Sequence, residues 1–121
     1  MLHLQGRVIP QLLGIGELWT GAQFVATSMV QGCSLSSLPH ISTEVKQGAM
    51  SALAQVHRAG VVHGDVTLDN FMLAEPDCLE GSCASKSPAR VIIIDFARAY
   101  MQASREQQAK EAARLRRLLG V

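Results

Sequence analysis

Three polar side chains, Asp65, Asn70 and Asp95, form the set in this sequence best suited to chemistry. Asp65 and Asn70 lie five residues apart in the run HGDVTLDN, and Asp95 directly follows the apolar run Val91–Ile94. Phosphoryl transfer needs one carboxylate to hold Mg²⁺ against nucleotide phosphates and a second beside the attacking hydroxyl. A neutral oxygen nearby completes the metal site, because Mg²⁺ prefers hard oxygen ligands. The three residues offer that set.

The segments on either side of Asp65 predict the elements that position it. Apolar residues at helical spacing predict an amphipathic helix over 42–59, which begins after the N-cap Ser42. Short apolar runs predict strands at 61–62 and 71–73, with the polar loop between them. Asp65 and Asn70 therefore share a strand-flanked loop.

Two further elements follow a loop predicted over 74–90. The β-branched run 91–94 predicts a buried strand that ends at Asp95. A capping box of Ser104 and Gln107 predicts a last helix over 104–119. The apolar face of this helix is expected at Gln108, Ala112, Leu115 and Leu119, and its basic cluster at Arg114, Arg116 and Arg117 is interpreted as a solvated helix end.

The first forty residues carry short apolar runs separated by glycines, which predict β structure with tight turns. Strands are expected at 8–13, 17–19 and 23–30, with a break at Gln31-Gly32 and a short connector over 35–39.

Two of these runs resemble the signatures of the protein-kinase-like superfamily. They are LAQVHRAGVVHGDVTLDN, residues 53–70, and VIIIDFA, residues 91–97. The resemblance implies that Asp65 is the catalytic base, Asn70 a metal ligand and Asp95 the principal Mg²⁺ ligand, while His63 braces the loop. It implies ATP as the phosphate donor and a hydroxyl acceptor, on protein Ser/Thr or on a small-molecule alcohol.

The resemblance extends upstream to FVATSMVQGCSL, residues 24–35, which is similar to the strand, hinge and glycine step that hold adenine in kinases. It places Thr27 at the gatekeeper position and makes the Ser28 carbonyl and the Val30 N–H the adenine contacts. Met72 is the implied apolar floor under the base, although plain core packing explains Met72 equally well.

The sequence departs from the protein-kinase pattern at Gly64, where many protein kinases carry Arg, at Thr67 and at Ala97. The HGD run is similar to small-molecule phosphotransferases and atypical kinases, which leaves the acceptor open. A glycine-rich loop and a strand lysine are also missing, because the only lysines are Lys46, Lys86 and Lys110. The run GIGELW at 14–19 is better interpreted as a turn between strands than as a phosphate loop.

We therefore expect an α+β fold, a partial protein-kinase-like domain over residues 1–121. Residues 1–35 are the expected remnant of the small lobe and hinge, and residues 36–121 a reduced large lobe. The expected activity is ATP- and Mg²⁺-dependent phosphoryl transfer. The alternative is an inactive pseudokinase or a truncated fragment that acts as a nucleotide-binding or scaffold module.

Composition excludes several other classes of function. A net charge of +1 and single Trp and Tyr residues disfavour nucleic acid as a partner. The longest apolar run is strand-sized and no leader is evident, so we expect no membrane partner and a cytoplasmic location.

The three cysteines, an odd number, predict free thiols rather than a disulfide framework, although Cys78 and Cys83 share a loop and could pair. A zinc site at Cys78 and Cys83 with His57 or His63 lacks an obvious fourth ligand. His57 is expected on the surface.

Overall fold

The computed structural model describes residues 2–74 and 89–121. The described residues form the α+β fold that the sequence predicts, with two long helices and small antiparallel sheets. Most of the loop predicted over 74–90 lies outside the described residues, and with it lie the possible Cys78–Cys83 pair and the zinc site considered there.

The first helix, α1 (Thr43–Arg58), forms where the apolar spacing predicts it. The Ser42 side chain accepts a hydrogen bond from the Val45 N–H and caps the helix. The apolar face packs against the strand that precedes Asp95 and against the second helix. Its buried side chains are Val45, Ala49, Ala52, Leu53 and Val56.

The second helix, α2 (Arg105–Leu119), begins at the predicted capping box of Ser104 and Gln107. It ends at Gly120, which adopts the left-handed conformation common at helix C-termini. Its buried residues are Glu111, Leu115 and Leu119. The predicted face named Ala112 and Gln108 instead of Glu111, and both of these are half-buried.

Seven short strands form three antiparallel sheets within the described residues. The first sheet is a hairpin of β1 (Leu12–Glu17) and β2 (Gln23–Thr27). The second has the order β3-β5-β6 and consists of β3 (Gly32–Ser34), β5 (Phe71–Ala74) and β6 (Val91–Ile93). The third pairs β4 (Val61–Val62) with β7 (Tyr100–Met101).

The N-terminal strand predictions were partly wrong. The predicted strand 8–13 is divided, because Val8 and Ile9 are buried outside any strand and the Val8 carbonyl accepts the Ile93 N–H. The predicted strand 17–19 does not form; β1 ends at Glu17 and the hairpin turn follows it. The predicted turn at 14–19 is also displaced, because its two glycines lie within β1.

The chain forms two strands that the sequence did not predict. Gly32 was expected to break a strand, yet it begins β3. Glycine fits at this position because a side chain there would overlap the Leu73 carbonyl of the neighbouring β5. The two-residue β7 is too short and too exposed to leave a periodic signal.

The free-thiol prediction was also wrong in one case: Cys33 on β3 is disulfide-bonded.

Candidate active site

A cavity of about 750 Å³ lies between the β1–β2 hairpin and the end of β6. All four residues that the sequence predicted for adenine binding line it: Thr27, Ser28, Val30 and Met72. Asp95 and Phe96 line it as well. The structure therefore brings the predicted hinge and the predicted principal metal ligand to one cavity.

The segment after β2 is held by paired hydrogen bonds to Gln11. The Ser28 N–H donates to the Gln11 carbonyl at 2.8 Å, and the Ser28 hydroxyl accepts from the Gln11 N–H at 2.9 Å. Within residues 2–74 and 89–121, neither the Ser28 carbonyl nor the Val30 N–H has a hydrogen-bond partner. One backbone acceptor and one backbone donor of the predicted hinge are thus unpaired among the described residues.

Asp95 has a backbone φ of 60°, which is uncommon for a residue with a side chain. One of its carboxylate oxygens accepts a hydrogen bond from the Ala97 N–H at 3.3 Å, a short turn that carboxylates stabilise in this conformation. The carboxylate is exposed at the rim of the cavity, so oxygen atoms remain accessible for a cation.

Asn70 and Asp65 are joined directly across their loop. The Asn70 side-chain nitrogen donates to the Asp65 carbonyl at 2.9 Å and to its carboxylate at 3.3 Å. Because both acceptors are oxygens, the Asn70 amide must present its nitrogen to them. Its side-chain oxygen has no partner among the described residues and remains a hard ligand for Mg²⁺.

A hydrogen bond links this loop to the strand that carries Asp95. The Ile94 N–H donates to the Asn70 carbonyl at 2.9 Å. Asp65 itself does not line the 750 Å³ cavity; it lines a neighbouring cavity of about 370 Å³. The predicted base and the predicted hinge thus line different cavities.

His63 braces both parts of the site. Its buried ring lies 2.8 Å from the Ile94 carbonyl through Nε2 and accepts from the Asp65 N–H at 3.2 Å through Nδ1. Since Nδ1 accepts, Nε2 carries the proton and donates to Ile94. The ring also contacts Phe96 edge-on, with centroids 4.7 Å apart. His63 therefore holds the bracing position that the resemblance implies.

Gly64 is required by two features of its surroundings. Its φ is +86°, and a Cβ atom there would overlap the carbonyl oxygen of Arg98. The segment that follows Asp95 returns beside β4, and its backbone occupies the space that a side chain would need. Arginine at this position is excluded by the same contact.

Glu111 anchors the loop from α2, a role that the sequence interpretation missed. Its carboxylate accepts the His63 N–H at 3.0 Å and the Gly64 N–H at 2.9 Å, and lies 2.8 Å from His57 Nε2. Burial alone would raise the pKa of Glu111, but the hydrogen bonds from His57, Gly64 and His63 outweigh it and lower the pKa below 4.5.

The prediction that His57 lies on the surface was wrong, because its side chain is only 11% exposed in the contact with Glu111. The signal for Glu111 was present in the sequence: Glu111, Leu115 and Leu119 are spaced four residues apart on one helix face. A carboxylate on an apolar face needs buried donors, and the loop N–H groups supply them.

Two kinds of feature do not occur in the part of the chain that the structure describes. No group of three or more His, Cys, Asp or Glu side chains is arranged to hold a metal by itself. No helix there has the length and apolar character needed to cross a bilayer.

The chain was compared with known protein families. The family model described as lipopolysaccharide kinase (Kdo/WaaP) family matches residues 36–120, which is more than half of the chain. The match includes α1, both loop residues Asp65 and Asn70, Asp95 and α2. No curated protein is significantly similar to the chain.

Proposed function

The chain belongs to the lipopolysaccharide kinase (Kdo/WaaP) family, and we propose that it transfers the γ-phosphate of ATP to a hydroxyl group of a lipopolysaccharide saccharide. The observation that carries this proposal is the convergence of Thr27, Ser28, Val30, Met72 and Asp95 on one cavity. A hydroxyl on protein Ser/Thr, expected from the protein-kinase resemblance, has no support from the family match, which instead favours a hydroxyl of lipopolysaccharide.

The cavity fits a nucleotide in its chemistry. Its walls include apolar side chains such as Ile9, Val25 and Met29, which suit the faces of a purine. The Ser28 carbonyl and the Val30 N–H supply the polar contacts that would orient its edge.

Asp95 and Asn70 fit a hard divalent cation in their chemistry, since the Asp95 carboxylate is exposed and the Asn70 side-chain oxygen has no partner among the described residues. Mg²⁺ held there would neutralise charge on the transferring phosphoryl group. Asp65 accepts the proton of the acceptor hydroxyl while that oxygen bonds to the γ-phosphorus and ADP departs. Asn70 orients the Asp65 carboxylate, and the Asp65–Asn70 hydrogen bond supports this assignment.

A second function, nucleotide binding without transfer, is favoured by one observation. The described lysines Lys46 and Lys110 lie on α1 and α2, and neither lines the 750 Å³ cavity. A lysine on the nucleotide phosphates is part of the usual kinase machinery.

A transfer assay with radiolabelled ATP separates these functions. The purified chain is incubated with Mg²⁺ and either a saccharide prepared from lipopolysaccharide or a mixture of Ser/Thr peptides. We expect label on the saccharide and none on the peptides. Label on peptides alone would contradict the proposed acceptor, and nucleotide binding without any transfer would establish the second function.

A further inference from the structure

The 370 Å³ cavity beside Asp65 has one wall from the catalytic loop and one wall from α2. The loop wall consists of Gly64, Asp65 and Val66, and the helix wall of Lys110, Glu111, Arg114 and Arg117. We refer to this cavity as the α2 cleft. Three of its four helix residues are cationic, and it opens next to the proposed base.

The cations of the α2 cleft differ in how far they are already paired. Lys110 forms an exposed ion pair with Glu106 at 2.9 Å. The carboxylate of Glu111 already accepts hydrogen bonds from His57 and from the N–H groups of His63 and Gly64. Within residues 2–74 and 89–121, neither Arg114 nor Arg117 has a carboxylate partner.

Arg114 is fixed relative to the catalytic loop. Its Nε donates to the Val66 carbonyl at 2.7 Å, which holds the guanidinium against the residue after Asp65. Guanidinium groups bind carboxylates and phosphates through paired hydrogen bonds. A preorganised guanidinium loses less side-chain entropy when such an anion binds.

We propose that the α2 cleft binds a carboxylate or phosphate group on the acceptor saccharide and thereby sets its hydroxyl beside Asp65. This assignment rests on the proposed function, because it takes Asp65 to be the base. Arg114 and Arg117 are the specificity-determining residues in this arrangement. The sequence interpretation of the basic cluster as a solvated helix end then holds for only part of it.

Arg116 shows that the cluster is divided between two helix faces. Successive residues on a helix are rotated by about 100°, so Arg116 and Arg117 lie on different sides of α2. Arg116 lines a separate cavity of about 170 Å³ with Met50 and Leu53 of α1. Arg116 therefore offers a matched control with the same charge and the same helix end but a different position.

The test is a titration of the isotope-labelled chain followed by backbone amide chemical shifts. The probes are glucuronic acid, glucose 6-phosphate and glucose, which carry a carboxylate, a phosphate and no charge. We expect the charged sugars to shift the amides of Gly64 and Val66, and glucose to leave them unchanged. The charged sugar with the lower Kd identifies which anion the cleft prefers.

Variants of the cleft residues decide whether the α2 cleft is the site at which the charged sugars bind. Arg117→Gln should weaken binding of the preferred sugar about tenfold, the loss of one charge-assisted hydrogen bond. Arg116→Gln should leave the Kd unchanged. Equal weakening by both variants, equal binding of glucose, or the absence of any shift in the wild type would overturn the proposal.

A parallel titration with Mg·ATP distinguishes failure of the proposed α2 cleft from failure of the proposed kinase function. Arg117→Gln should leave nucleotide-induced shifts at Thr27 to Val30 intact. Loss of sugar binding with intact nucleotide binding would place the failure in the cleft alone. Sugar binding in a chain that binds no nucleotide would contradict the kinase proposal and leave an anion-binding cleft.

Discussion

Nε2 of His57 on α1 lies 2.8 Å from Oε1 of Glu111 on α2, and the contact joins two residues that are 54 positions apart in sequence. The same carboxylate accepts the N–H groups of His63 and Gly64. Three donors on one buried carboxylate make the loop that carries Asp65 dependent on the C-terminal helix. The position of the proposed base is therefore set by a residue from outside its loop.

Replacing Glu111 with Gln should destabilise the fold by about 3 kcal/mol, because a buried carboxylate is lost and one donor is left facing an amide nitrogen. Chemical denaturation at neutral pH measures the change in the free energy of unfolding. Glu106→Gln is the control on the same helix: its ion pair is exposed and should contribute about 0.5 kcal/mol or less. Equal effects of the two variants would contradict the anchoring role.

The contribution of Glu111 should also depend on pH in a defined direction. Its pKa is lowered in the folded state, so the folded protein binds fewer protons than the unfolded chain as the pH falls below 4.5. The stabilisation is present above that pH and is lost as the pH falls through the folded-state pKa. The difference in unfolding free energy between wild type and Glu111→Gln should therefore become smaller as the pH is lowered. A difference that stays constant with pH would argue against a lowered pKa of Glu111 in the folded state.

Gly64→Ala should destabilise the protein by more than backbone strain alone. A left-handed conformation costs a residue with a Cβ about 1–2 kcal/mol, and the Arg98 carbonyl adds a steric overlap. Gly60→Ala isolates the first component, since Gly60 has φ +82° but open space around its Cβ position. Thermal unfolding of both variants should show the larger loss of stability for Gly64→Ala. Equal losses of stability would exclude a steric contribution from the Arg98 carbonyl.

Asp65→Asn should leave nucleotide binding intact and lower the rate of transfer by about 10²–10⁴-fold, the usual contribution of a general base. The Asn70 hydrogen bond survives this change, because an amide oxygen also accepts it. Asp69→Asn is the matched control, since the Asp69 carboxylate accepts a hydrogen bond from Ser36. Transfer by Asp65→Asn at the wild-type rate would remove Asp65 from the base role.

The sequence predicted the elements with strong local signals. The apolar spacing and caps of α1 and α2 and the β-branched run of β6 all appear in the fold. Each of these signals is local, because it lies in the residues of the element itself. The hinge residues were reached only through the family resemblance, since their implied contacts use backbone atoms that side-chain identity does not reveal.

The features that escaped prediction depend on contacts distant in sequence. β3 and β7 exist because β5 and β4 pair with them, and neither has a periodic pattern of its own. Gly64 is required because the backbone of Arg98, 34 residues later, leaves no room for a side chain. Glu111 carried a local signal in its spacing with Leu115, but its partners on the loop were not deducible from α2 alone.

The proposed function requires that Asp95 hold the metal through which the nucleotide binds, and we would measure this by calorimetric titration of Mg·ATP into wild type and Asp95→Asn. Asparagine tolerates the left-handed backbone and keeps the acceptor for the Ala97 N–H, so the fold should be retained. We predict that the wild type binds Mg·ATP and that Asp95→Asn loses the Mg²⁺-dependent binding while unfolding at the same temperature. Unchanged affinity for Mg·ATP in Asp95→Asn would contradict the claim.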